Sequence, residues 1–296
     1  MRIVVSGADE TDRADFIAGW HSLSPDTTAT QLPGSALLSG SQPVLGIIDD
    51  PGDTSPDEPT VTAGTADLAD ALSEIIDRAR SGPVTVIAGE TTRHDGGEGA
   101  FRALDDRDRA DLARYAHHIT VGTTHGDPLL GLGGRGALLA RADASSASDA
   151  QERERRIGAY VHELSRDLGS DPRLARAAGS GMAGGVAFLL AAAGATLADL
   201  AHVVAQRHDW DQDIAASDLA IVLTHSAEPM SLLTGVFAEV GGLAQEELVP
   251  VAAVSNASRI ARRHLANAGI TDHYSLQGRT MTALGRALAA TWTQRA

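Results

Sequence analysis

Residues 84–105 read VTVIAGETTRHDGGEGAFRALD, a β-branched run that feeds a glycine-rich, acid-bearing loop opening a helix. A short continuous apolar run such as 84–88 is buried on both faces, as strands of parallel sheets are. Glycines at 96, 97 and 99 let backbone N–H groups approach a ligand closely, and the following helix would aim the positive end of its dipole at the same place. Such a junction suits an anion. A tight strand-to-helix turn is the alternative that the same residues allow.

Outward from this stretch, further apolar runs at 3–5, 44–48, 118–121, 219–223 and 251–254 predict strands. Between them Leu68, Leu72, Ile75, Ile76 and Ala79 repeat on one helical face, as do Ile157, Val161, Leu164 and Leu168. Alternating strands and helices predict an α/β fold. The proline- and acid-rich connector DDPGDTSPDEP (49–59) and the low-complexity DASSASD (143–149) interrupt the pattern, the second ahead of a charged helix expected to begin near Gln151. That helix, with Glu152, Arg153, Glu154, Arg155 and Arg156 before its apolar face, reads as a solvated one.

The chain has 296 residues, ample for a sizeable core in one large or two moderate domains. Its 24 basic and 39 acidic residues leave a net charge of −15, which argues against nucleic acid or an anionic membrane surface as partner. Any nucleotide would need a cation or a local basic patch. Zero cysteines exclude disulfides, cysteine-ligated zinc and thiol catalysis. The longest apolar run, near 186–193, is too short to span a bilayer, and MRIVVSGADE lacks a signal pattern. A cytoplasmic protein is expected.

Several segments, in chain order, resemble the glycerate kinase family, which phosphorylates glycerate with ATP. PTVTAGTADLADAL (59–72) resembles its threonine and glycine stretch ahead of a helix, and 84–105 its second glycine-rich loop. GDPLLGLGGRGALLARA (126–142) is similar to its Asn-Pro-Leu-Leu-Gly segment, with Asp127 in place of asparagine. GSGMAGGVAFLLAAAGATLADL (179–200) matches most closely. SDLAIVLTHSAEP (217–229) resembles the strand and loop carrying the acidic GEGRxD motif, and VPVAAVSNAS (249–258) the late buried strand. The resemblance implies two dissimilar α/β lobes with mainly parallel sheets and a cleft between them, the first built from 1–58 with 215–296 and the second from 59–214. It also implies ATP and Mg²⁺, a small anionic substrate such as glycerate, and possession of a nucleotide site.

The chain departs from the family pattern where charge is needed. After the first strand SGADETD (6–12) lacks the lysine of Asp-Ser-Phe-Lys-Gly, leaving Asp9 with no cation nearby. The first DGGEGT loop is absent, the matching LPGSALLSG (32–40) running straight on. Thr124 and Gly126 stand where the family has two aspartates, and THSAEPMSLLTG (224–235) replaces the GEGRxD arginine, its aspartate and the final lysine. Loss of one positive group from a phosphoryl-transfer site typically costs on the order of 10³ in rate.

The candidate cleft acids are accordingly Asp95, Asp127 and Glu228, with Gly96, Gly97 and Gly99 as one backbone cradle and Gly179, Gly181, Gly184 and Gly185 as another. Asp95 suits Mg²⁺, or a helix cap, and the second glycine set equally suits close helix packing. His94 and His125 could meet a phosphate or carboxylate when protonated. His117, His118, His202 and His208 read as surface residues without metal-ligand spacing. Arg93, Arg135 and Arg279 are the candidates to replace the missing lysines. The resulting expectation is ATP-dependent phosphorylation of glycerate. The alternative is a degenerate family member that binds or regulates without turnover, and a third reading rebuilds a transferase site from Thr224, His225 and Glu228.

Overall fold

The computed structural model describes residues 1–7, 9–34, 38, 44–48, 65–92, 94–142, 147–227, 232–258 and 260–293. The chain divides into two compact units, Met1–Ser41 with Ala201–Ala296, and Gln42–Leu200. Its described strands are β1 (Arg2–Gly7), β2 (Thr28–Gln31), β3 (Leu45–Ile47), β4 (Val84–Ala88), β5 (Ile119–Thr123), β6 (Thr196–Asp199), β7 (Leu219–Ala227), β8 (Val251–Ser258) and β9 (Asp272–Ser275).

In the first unit the sheet runs β2-β1-β7-β8-β9, every pair parallel. Its central strands are apolar on both faces because both faces are covered. Ile3, Val5, Leu219, Ile221, Leu223, Ala252 and Val254 share a core with Phe16 and Trp20 of the helix Glu10–His21 and with Leu284, Leu288 and Trp292 of the helix Met281–Trp292. These two helices pack closely, since a Cβ at Gly19 or Gly285 would meet the other helix's backbone. The helix Gly235–Glu246 packs against β1, β7 and β8.

In the second unit the order is β3-β4-β5-β6, with only β3 antiparallel. The helices Ala69–Ser81, Ala147–Leu168 and Val186–Ala193 feed its core through Leu72, Ile75 and Ile76, through Ile157, Val161 and Leu164, and through Val186 to Leu190. The last of these is apolar all round and buried on almost every side, as a helix without a polar face must be. Among the described residues no helix is long and apolar enough to cross a membrane.

All six predicted strands are present, whereas β2, β6 and β9 lie outside the expected set. Each is a short edge strand, TATQ, TLAD or DHYS, half-exposed and therefore under no demand for a continuous apolar run. The charged helix begins at Ala147, ahead of Gln151.

Candidate active site

The strands β4 and β5 end at Ala88 and Thr123, and both leave the sheet through polar turns at their carboxyl ends, the edge at which open α/β sheets bind ligands. Three side chains converge there. Arg135, the first residue of the helix Arg135–Ala142, donates from Nη1 to Glu90 Oε1 at 2.7 Å and to Asp127 Oδ2 at 3.1 Å, and from Nη2 to the Thr91 carbonyl at 3.3 Å. Its backbone N–H donates to the Pro128 carbonyl at 2.8 Å and that of Gly134 to Gly131 at 2.8 Å, so the turn DPLLGLGGR folds back and delivers the guanidinium beside Asp127. Arg135 and Asp127 are 12% and 18% exposed, Glu90 49%. Two carboxylates on one guanidinium leave one net negative charge, presented chiefly by Glu90. His125 Nδ1 stands 3.8 Å from Glu90 Oε1.

Asp95 is engaged differently. Its Oδ1 accepts from the Gly97 N–H at 2.9 Å and its Oδ2 from the Gly99 N–H at 3.2 Å, while the Thr65 hydroxyl lies 2.7 and 2.8 Å from the two oxygens. Thr65 in turn accepts from the Ala100 N–H at 3.1 Å. The start of the helix Glu98–Ala103 is thus capped from within the chain, the capping role that was one of the two sequence readings. Replacing Asp95 with alanine is expected to cost about 1–2 kcal/mol of stability in a denaturant titration. A variant as stable as the wild type would remove the capping role.

The second glycine segment meets the first. The Gly96 N–H donates to the Gly184 carbonyl at 3.0 Å, and a Cβ on Gly97 would stand 3.0 Å from the Gly185 carbonyl oxygen. Gly181 N–H donates to the Asp127 carbonyl at 3.0 Å and Ala183 N–H to that of Gly89 at 2.8 Å, while Met182 N–H bonds Gly179. The segments containing Gly96, Gly97, Gly99, Gly179, Gly181, Gly184, Gly185, Asp127 and Glu90 therefore form one assembly, in which the amides of 96, 97, 99, 181, 182 and 183 are donated to protein oxygens. Thr65 and Glu90 were not singled out by sequence reasoning. The signal for Glu90 was its place two residues after a buried strand.

His94 sits behind this assembly. Burial, then Arg135 and Arg153, lowers its pKa from 6.5 to about 4, with Asp95 opposing. At neutral pH the imidazole is uncharged, which corrects the expectation that it meets an anion as a cation. Its Nδ1 is buried and has no partner among the described residues, as is the Tyr160 hydroxyl, whose pKa burial, Glu98 and Asp95 raise. Between pH 6.5 and 4 the unfolded chain binds a proton at His94 that the folded chain refuses. Folding should therefore weaken as pH falls through that window, by about 3 kcal/mol in all. His94→Gln should flatten the melting-temperature profile there; an unchanged profile would contradict this.

In the first unit the absence of a cation near Asp9 is corrected. Arg13, 3% exposed, folds back from the helix Glu10–His21 and donates from Nη1 to the Gly7 carbonyl at 2.9 Å and from Nε to Gln31 at 3.1 Å. Burial lowers its pKa, while Glu10 and Asp9 oppose that shift. Asp9 caps the same helix through the Asp12 N–H at 2.8 Å. Arg279 bonds the Ser275 and Leu276 carbonyls after β9. Glu228 and Arg93, and the His225 side chain, lie outside the described residues. Of the histidines read as surface residues, His117 and His202 are exposed, but His118 is half-buried against the Ala79 carbonyl. His208 is half-buried too, its Nε2 without a partner among the described residues and its pKa lowered by burial. Among the described residues no three His, Asp or Glu side chains gather as a metal site. Every basic residue of the chain apart from histidine is arginine, so no lysine elsewhere replaces those missing from the motifs.

Mainly parallel sheets covered by helices, with strands that leave through polar turns at their carboxyl ends, define an α/β protein. The glycerate kinase family model matches residues 84–294, and the chain belongs to that family. Among solved structures, the crystal structure of "putative glycerate kinase 2 from Salmonella typhimurium LT2" is similar over 100% of this chain and 99% of that one, with a TM-score of 0.64 and 20% identity, a likeness of fold. No curated protein matches the sequence.

Proposed function

We propose that the protein transfers the γ-phosphoryl group of ATP to a hydroxyl of glycerate, in the cytoplasm. Membership of the glycerate kinase family supports a kinase-like activity, and the single observation that carries the finer reading is the Glu90–Arg135–Asp127 group. Phosphoryl transfer depends on positioning and electrostatics more than on covalent chemistry. In this reading Asp127 orients the attacking hydroxyl and accepts its proton, and Arg135 fixes the Asp127 carboxylate while balancing its charge. Asp95 holds the glycine loop in shape and takes no direct part.

The donor set suits Mg²⁺, which is commonly held through one or two carboxylates plus substrate phosphates. Glu90, the more exposed of the two carboxylates on Arg135, is the residue that would hold it, and when bound it would neutralise phosphate charge. Asp95 is unsuited, because both its oxygens already accept hydrogen bonds.

Purified protein supplied with ATP, Mg²⁺ and D-glycerate should release ADP above a blank lacking glycerate. No turnover would overturn the enzyme reading. A binding protein without turnover is the second reading, favoured by the internal use of the loop amides at 96, 97 and 99. It would show stabilisation by glycerate or nucleotide in a melting experiment with no ADP formed.

A further inference from the structure

From Leu248 to Thr271 the sequence carries no acidic residue, although the chain has 39 of them. Arg259, Arg262, Arg263 and His264 all fall in this stretch. In the first unit a cavity of about 650 Å³ opens here, between the short helix Arg262–Asn267 and the edge strand β9. That volume is in the range of small-molecule sites.

The cavity has two chemically distinct sides. Leu265 and Ile270, both buried, with Ala266 make an apolar wall. Opposite charge considerations govern the rim. Arg262 pairs with Asp272 at 3.2 Å, but its side chain is 89% exposed, and so exposed a pair contributes little. Arg263 donates from Nε to His264 Nε2 at 3.2 Å and has no carboxylate partner among the described residues. Two guanidiniums against one carboxylate leave a local positive charge on a chain of net charge −15. His273 also lines the cavity, and its ring is anchored through Nε2 to the Ser255 hydroxyl at 2.8 Å.

The cavity joins the segment that follows β8, through Ile260, Arg262 and Arg263, to the start of β9 at Asp272 and His273, and none of its lining residues belongs to the Glu90–Arg135–Asp127 group of the second unit. We propose that this cavity is a second site, for a small phosphorylated organic anion, with the phosphate on Arg262 and Arg263 and the carbon skeleton against Leu265 and Ile270. Guanidinium forks match phosphate oxygens in a bidentate way, and the apolar wall distinguishes an organic phosphate from the bare ion.

Calorimetric titration of the full chain with phenyl phosphate and with inorganic phosphate tests the proposal. Phenyl phosphate should bind more tightly than inorganic phosphate. The Arg262→Gln/Arg263→Gln double variant should weaken phenyl phosphate at least about tenfold, whereas Arg135→Gln should leave it unchanged. Both arginines are exposed, and the single variants, each weakening binding in part, guard against misfolding of the double one. No binding, binding indifferent to both arginines, or binding lost on changing Arg135 instead would each overturn the second site, whatever the fate of the kinase reading.

Discussion

Replacing Arg135 with glutamine is expected to lower kcat/KM for glycerate phosphorylation on the order of 10³-fold. The guanidinium is where the two carboxylates are joined: Nη1 reaches both Glu90 and Asp127 while Nη2 holds the Thr91 carbonyl. Glutamine preserves much of the side chain's bulk but removes the charge and the fork, so Asp127, only 18% exposed, loses its cation and is free to turn. Lysine should recover only part of the rate, because one ammonium does not reproduce three planar contacts. Steady-state kinetics alongside melting curves separate loss of chemistry from loss of fold. A glutamine variant within about threefold of the wild type would remove Arg135 from the site.

The largest effect on stability is expected at Gly185. Its φ is +103°, a conformation that residues with a Cβ avoid, and a methyl group there would stand 2.5 Å from both the Cα and the carbonyl carbon of Gly96. Strain of about 1–3 kcal/mol from the backbone adds to a similar overpacking cost, for about 3–5 kcal/mol in Gly185→Ala. The damage should spread, since separating the two loops breaks the bond from Gly96 to Gly184 next to the Asp95 cap. Chemical denaturation measures this directly, and a loss below about 1 kcal/mol would show that the loops tolerate separation.

These two residues also mark the division between what was legible in the chain and what was not. The glycine-rich segments at 96–99 and 179–185 were visible as unusual, but their purpose had two readings, a ligand cradle or close packing. In the fold the amides at 96, 97, 99, 181, 182 and 183 all donate to oxygens of the chain, because a backbone donor bonds whichever acceptor the tertiary fold brings within reach. Arg135 was one of three arginines that could have supplied the missing charge. That Arg135 meets two carboxylates depends on a turn closing between Pro128 and Arg135, a contact that spacing does not encode. His94 looked like a loop residue open to protonation, yet desolvation by distant elements decides its charge.

By itself the sequence determined the α/β class, the six more apolar strands and the family, because burial on both faces of a parallel sheet demands continuous apolar runs and the family segments are local. Only the tertiary structure decided the three polar edge strands, the pairing of Thr65 with Asp95 across 30 residues, and the meeting of Glu90, Asp127 and Arg135. The reason is physical: short-range patterning reports how much water a segment gives up, whereas the partner of a polar side chain is set by loops that converge from distant parts of the chain.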